Sequence, residues 1–106
     1  RNTDYGHVLE NIVYFELLRR GFSVFIGKVG TLEVDFVAAK ADKKIYYQVS
    51  ATIMGKETRE RELRPLQAID DHYEKVILSM DRSIYGDFEG IKNINIIDFL
   101  LSDEDV

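Results

Sequence analysis

Four oxygen-bearing side chains are the candidates for chemistry in this sequence: Glu10, Asp35, Gln48 and Ser50. Asp35 interrupts an otherwise apolar segment, 34–38, where a carboxylate costs free energy unless it is solvated, hydrogen-bonded or bound to a cation. Oxygen ligands from one helix and two adjacent strands, open to water on one side, would suit a hard cation. The residue types therefore raise the hypothesis of a hard-cation site formed by these side chains.

A structural role for the same residues is the open alternative. Glu10 and Asp35 would then bridge to neighbouring backbone groups or to arginine and lysine side chains. Gln48 and Ser50 would lie on a solvated strand face, an interpretation that we favour over catalysis. His7 and His72 are isolated in the sequence, and no residues near them have the spacing of zinc ligands.

Hydrophobic periodicity predicts the elements that must position these side chains. The first helix runs from Thr3 or Asp4, with Asp4 as N-cap, and buries an apolar stripe. The order of elements is α-β-β-β-α-β with a short β-α end, which defines an α/β fold. The expected bounds are a helix at 3–20, strands at 22–26, 31–38 and 45–53, a helix at 57–71, strands at 75–80 and 93–97, and a helical turn through residue 101.

Strand alternation predicts which side chains share a face of the sheet. In the second strand, Val34 and Phe36 are expected on one face and Asp35 on the other. Gln48 and Ser50, two residues apart, share the polar face of the third strand. If these two strands pair, Asp35 and Gln48 lie on the same side of the sheet.

The second helix carries both a proline and a dense set of charges. Pro65 predicts a kink, or two short helices with Pro65 opening the second. Glu57 and Glu60 precede Arg61 and Arg64 by four residues, which favours an ion-paired, solvated face. A phosphate-binding patch is the alternative interpretation of these cations.

Composition excludes several kinds of functional site. The chain has 106 residues, 45% of them hydrophobic, a net charge of −5 and no cysteine, which excludes disulfides, thiolate zinc sites and cysteine nucleophiles. No apolar run is long enough to span a bilayer, so we expect no membrane partner and a cytoplasmic location. Residues 1–106 fit a single domain, and the absence of an initiator methionine indicates a fragment of a longer protein.

Three short segments resemble known families: Gly6–Asn11 (GHVLEN), Glu33–Val37 (EVDFV) and Tyr46–Ser50 (YYQVS). Together they are similar to the C-terminal domain of prokaryotic AAA-type ATPases of uncharacterised function. The order of a helix acid, a strand acid and a strand with (Asp/Glu)-x-Lys also resembles the restriction-endonuclease-like PD-(D/E)xK nucleases. The resemblance implies a mixed sheet flanked by helices, an ATPase module in the same parent chain, DNA as a partner and Mg²⁺ held by Glu10 and Asp35.

The departures from that pattern matter for activity. Gln48 stands where the second strand acid would be, and Ser50 stands where the lysine would be. Glutamine can still coordinate through its carbonyl oxygen, but serine supplies no positive charge. The candidates for a relocated lysine are Lys28, Lys40, Lys44 and Lys56.

Three functions are therefore open. The first is a degenerate nuclease-fold recognition or regulatory module attached to an ATPase, with a role on DNA. The second is an active Mg²⁺-dependent DNA endonuclease with a displaced lysine. The third is a protein-interaction module that does not bind nucleic acid, which the acidic charge balance favours.

Overall fold

The computed structural model describes residues 2–82 and 88–106, with side chains described from residue 4 onward. Part of the loop predicted at 81–92 lies outside the described residues. The elements are α1 (Asn2–Arg19), β1 (Ser23–Val29), β2 (Leu32–Lys40), β3 (Lys43–Val49), α2 (Lys56–Gln67), β4 (Glu74–Ser79), β5 (Lys92–Asn95) and α3 (Ile96–Leu101).

Five strands form one mixed sheet in the order β1-β2-β3-β4-β5. The pairs β1–β2 and β2–β3 are antiparallel, whereas β3–β4 and β4–β5 are parallel. The parallel pairs require crossover connections, and α2 supplies the first of them. The predicted α/β class and the predicted order of elements are confirmed.

The helices cover both faces of the sheet. On one face, α1 and α3 pack over the inward side chains of β3 and β4; this cluster contains Leu9, Val13, Leu17, Ile45, Tyr47, Val49, Val76, Leu78, Ile96 and Phe99, among others. On the other face, α2 packs over a second cluster, which contains Val34, Val37, Tyr46, Ile53, Leu63, Leu66, Ile77 and Ile91. Because both faces are covered, β3 and β4 are almost entirely buried.

A β-bulge breaks the predicted alternation of β2. Phe25 pairs with Val37 and Gly27 with Val34, so two residues of β2, Asp35 and Phe36, lie opposite one residue of β1. Val34 and Val37 therefore share the α2 face, while Phe36 turns toward α1. The expectation that Val34 and Phe36 share a face is wrong, because the extra residue reverses the side-chain alternation.

Several helix and strand ends also differ from the predictions. Helix α1 begins at Asn2, so Asp4 lies in its first turn and is not the N-cap. Strand β3 ends at Val49 instead of Ile53, because the chain leaves the sheet there; Ile53 consequently packs on the α2 face.

Helix α2 differs from its prediction in two ways. It is one continuous helix that ends at Gln67, with Pro65 buried in its last turn, so the division into two helices is wrong. The predicted ion pairs of Arg61 and Arg64 do not occur among the salt bridges of the described residues. Arg61 and Arg64 are therefore less constrained by ion pairs within α2 than their spacing predicted.

Candidate functional site

A cleft of about 360 Å³ opens where the N-terminal half of α1, the end of β3 and α2 meet. Helix α1 contributes Glu10 and His7, and α2 contributes Arg61 and Glu62. The remaining lining comes from Gly6, Thr58 and the segment 49–52. Most of these side chains carry oxygen or nitrogen, so the cleft is suited to a polar or charged ligand rather than an apolar one.

Asp35 and Gln48 join β2 to β3 at the point where the two strands separate. Regular pairing of these strands ends at Phe36 and Tyr47. Beyond it, the backbone N–H of Asp35 donates to Gln48 Oε1 at 2.8 Å, and the N–H of Val49 donates to Asp35 Oδ2 at 2.9 Å. Two side chains thus take the place of backbone acceptors and close the sheet next to Val49, which lines the cleft.

Gln48 is only 3% exposed, so the interpretation of this position as a solvated strand face is wrong. Helix α2 covers it, and Gln48 Nε2 donates to the backbone carbonyl of Glu62 at 3.1 Å. The amide group therefore links β2, β3 and α2. A buried amide whose oxygen and nitrogen both form hydrogen bonds is typical of a residue with a structural role.

Three carboxyl groups influence one another around the cleft. Burial, and secondarily the nearby charge of Glu10, raise the pKa of Asp35 to about 6, against the opposing effect of the Val49 N–H. Burial, together with the charges of Asp35 and Glu10, raises the pKa of Glu62 to about 7, while Arg61 acts in the opposite direction. The charge of Glu10 thus acts on Asp35, although Asp35 itself does not line the cleft.

Ser50 lines the cleft, but its hydroxyl is directed to the local backbone. Its Oγ donates to the carbonyl oxygen of Thr52 at 2.9 Å. Thr52 in turn donates to Asp81 at 2.7 Å, and the N–H of Ile53 donates to the same carboxylate at 2.7 Å. Asp81 thereby holds in place the segment that follows β3. Its position in a loop gave no sequence signal of this role.

None of the described residues that line the cleft is a lysine. Lys28 bonds to Glu33 at 2.8 Å, and Lys40 donates to the carbonyl oxygen of Arg20. Lys44 lies 5.3 Å from the ring centre of Tyr46. Lys56 begins α2 and is exposed outside the cleft. Arg61 is the arginine among the lining residues, and its guanidinium offers hydrogen-bond donors but no acceptor.

The described residues do not form a preorganised Mg²⁺ site. Across 2–82 and 88–106, no group of three or more His, Asp or Glu side chains is arranged to hold a metal ion. One carboxylate oxygen of Asp35 and the carbonyl oxygen of Gln48 already accept backbone N–H groups. A cation that used these two oxygen atoms would share them with the bonds that close the sheet.

Glu62 is the cleft residue that the sequence analysis missed. Charged residues surround it in the sequence, which favoured a solvated helix face. The available signal was its position four residues before Leu66, which is buried. Residues four apart lie on one face of a helix, so Glu62 had to approach the core.

Comparisons with known proteins find a longer, uncharacterised relative and assign no activity. No protein-family model matches the sequence. The chain is 40% identical over 101 residues to an uncharacterised protein of Haemophilus influenzae, an alignment that covers 95% of this chain. It spans about a quarter of that relative's length (24%). Within the described residues, no helix is long and apolar enough to cross a membrane.

Proposed function

We propose that this chain is a nuclease-like recognition module that does not hydrolyse its ligand, and that it serves an ATPase in the same cytoplasmic parent protein. The observation that carries this proposal is the engagement of Asp35 and Gln48 in closing the sheet. In the resembled nucleases these positions hold the metal; here their oxygen atoms accept backbone N–H groups. Ser50, at the position of the lysine, donates to a carbonyl group.

The mixed sheet supports the same kinship. Three antiparallel strands lead into parallel pairing of β3 with β4, with α1 and α2 on opposite faces. In this arrangement an acid of the first helix and an acid of the second strand come close enough to interact electrostatically. A mixed sheet flanked by helices is compatible with the resemblance and supports the proposal, while the chemical groups differ.

DNA is the ligand class that we propose, and the cations of α2 are the contact surface. Lys56, Arg61 and Arg64 are exposed, and none of them forms a salt bridge with another residue described in the structure. Arg61 also lines the cleft. Because the whole chain has a net charge of −5, a local patch of this kind is required for phosphate contact.

A gel-shift series with labelled linear, branched and single-stranded DNA tests the proposal. The apparent affinity is expected to fall as salt rises, and Arg61→Glu and Arg64→Glu are each expected to weaken binding and to reduce the salt slope by about 1. Lys28→Glu is the matched control, since Lys28 lies on β1 and pairs with Glu33. Absence of binding, or equal weakening by all three substitutions, would contradict the proposed surface.

An active metal-dependent endonuclease is the second candidate, and the coupling of Glu10, Asp35 and Glu62 favours it. A divalent cation would relieve the repulsion among these carboxylates. Titration calorimetry with Mg²⁺ and Mn²⁺ discriminates the two candidates. Stoichiometric binding that Asp35→Asn removes would favour the endonuclease; no heat of binding would favour the non-hydrolytic module.

A further inference from the structure

Met54 is an exposed apolar side chain beside the cations of α2. It is 62% exposed and lies in the segment between β3 and α2. Lys56, which begins α2 and belongs to the proposed DNA contact surface, follows two residues later. Gly55, between them, has open space around it, since a Cβ atom there would meet no atom within 4 Å. Residues 54–55 therefore form an exposed tip next to the contact surface.

Hydrogen bonds fix the backbone of Met54 on both sides of its side chain. Its N–H donates to Thr52 Oγ1 at 3.1 Å, and Arg59 Nη1 donates to its carbonyl oxygen at 3.1 Å. Arg59 Nη1 also donates to the carbonyl oxygen of Ile53 at 3.1 Å. Thr52 and Ile53 are held in turn, because both donate to Asp81 and the Ile53 side chain is fully buried. The Met54 side chain is thus presented to solvent from an anchored backbone.

We infer that Met54 inserts between two base pairs of duplex DNA and kinks the duplex, an inference that rests on the proposed recognition of DNA by α2. Apolar side chains, methionine among them, act as wedges in the minor groove, where they unstack a base step and bend the helix. Methionine suits this role because its unbranched side chain adapts to an irregular gap. Lys56 and Arg61 carry the charge that attracts the phosphates of the same duplex.

The position of Met54 distinguishes it from the other exposed apolar side chains. Among the described residues, the other exposed large apolar side chains lie on α1, β1 and α3, none of which carries the proposed contact cations. Unstacking a base step costs free energy that phosphate contacts beside the wedge must offset. Met54 combines such neighbours with a fixed backbone. Because pyrimidine–purine steps are the easiest to unstack, they are the expected target.

Gel shifts with linear duplex DNA measure the contribution of Met54 to affinity. Met54→Ala is expected to weaken binding about tenfold and to leave the salt slope unchanged, because it removes apolar contact and no charge. Met54→Leu keeps an apolar side chain and is expected to bind as the wild type does. Leu101→Ala is the matched control, since Leu101 is an apolar side chain of similar size, 83% exposed on α3, and its loss is expected to leave the affinity unchanged. Far-UV circular dichroism establishes that each variant is folded.

Energy transfer between dyes at the two ends of a duplex of about 20 base pairs, with a central TA step, measures the kink. At saturating protein, the wild type and Met54→Leu are expected to raise the transfer efficiency, because a kink shortens the distance between the ends. Met54→Ala is expected to leave it near that of free DNA. A wild type that binds without raising the transfer, or an equal rise with Met54→Ala, would overturn the wedge and leave the proposed recognition standing. Absence of any binding by the wild type would overturn the proposed function, and the wedge with it.

Discussion

Asp35 and Gln48 each supply an acceptor to the backbone of the other's strand. The N–H of Asp35 donates to the Gln48 side chain, and the N–H of Val49, next to Gln48, donates to the Asp35 carboxylate. The reciprocal pair seals the sheet at the place where β2 and β3 separate. Both residues thus have a structural role here, at the two strand positions where the resembled nucleases hold their metal.

Removing the Gln48 amide is therefore expected to destabilise the fold. Gln48→Ala leaves the Asp35 N–H and the Glu62 carbonyl group without their partners and opens a cavity, at a cost of about 2–4 kcal/mol. Urea unfolding followed by circular dichroism measures this change. Gln67→Ala, at an exposed position near the end of α2, is the control and is expected to change the free energy of unfolding by less than about 0.5 kcal/mol. Equal stabilities of the two variants would contradict the structural role of Gln48.

Stability is expected to fall as pH rises from about 4 to about 7.5. The folded-state pKa values of Asp35 and Glu62, about 6 and about 7, exceed those of unfolded carboxyl groups, so folding favours their neutral forms. Their stabilising contribution is complete below the unfolded pKa and is lost as pH rises through the folded pKa. The lowered pKa values of Glu16 and Asp71, each about 2, have the opposite effect: they stabilise the fold at neutral pH, and this contribution is lost as pH falls from about 4.5 toward 2.

Neutralising Asp35 tests that pH dependence. Asp35→Asn keeps an oxygen for the Val49 N–H but removes the charge, so it is expected to be more stable than the wild type at pH 7.5, by about 1–2 kcal/mol. The two proteins should differ less at pH 4.5. Urea unfolding at both pH values gives the comparison, with Glu60→Gln, an exposed acid of α2, as the control. A wild type that gains stability over this range relative to Asp35→Asn would refute the account.

Because of the bulge in β2, position 27 has no room for a side chain and requires glycine. A Cβ atom there would lie 2.7 Å from Val37 Cγ2 and 3.2 Å from Val34 Cβ, because the bulge turns both valines toward the same face. Gly27→Ala is expected to cost about 1–3 kcal/mol. Combining it with Val37→Ala should cost less than the sum of the single substitutions, since the clash is then relieved. Gly55→Ala meets no atom within 4 Å and is the control; strict additivity of the first pair would refute the clash.

Arg20 is expected to hold the C-terminal segment in place. Its side chain is 6% exposed, pairs with Glu16 and Asp105, and donates to the carbonyl groups of Phe99, Ser102 and Glu104. Arg20→Ala leaves these groups unpaired and is expected to cost about 3–5 kcal/mol. Hydrogen exchange should show lost protection at 102–106, which Arg19→Ala, a change of an exposed side chain, leaves intact. Unchanged protection in Arg20→Ala would refute this role.

The sequence predicted the element types and their order from the apolar period of each element, but it misplaced the start of α1 and the ends of β3 and α2. The prediction of side-chain faces failed in β2, where one extra residue shifts the alternation. The bulge at Asp35 and Phe36 reverses the faces of β2, and its cause is a pairing with β1 that no local pattern encodes. Likewise, the polar side of β3 was identified correctly, but α2 covers it, so Gln48 is buried instead of solvated. Glu10 and Asp35 were named as candidates from their residue types, whereas Glu62 lines the cleft because α2 packs over the sheet.

A cleavage assay tests the central proposal, that this chain is a nuclease-like module that recognises DNA without hydrolysing it. Labelled linear, branched and single-stranded DNA is incubated with the chain and Mg²⁺ or Mn²⁺, alongside Asp35→Ala, and the products are resolved on a denaturing gel. The account predicts intact DNA in every lane, with no difference between the wild type and Asp35→Ala. Cleavage by the wild type that Asp35→Ala abolishes would contradict it.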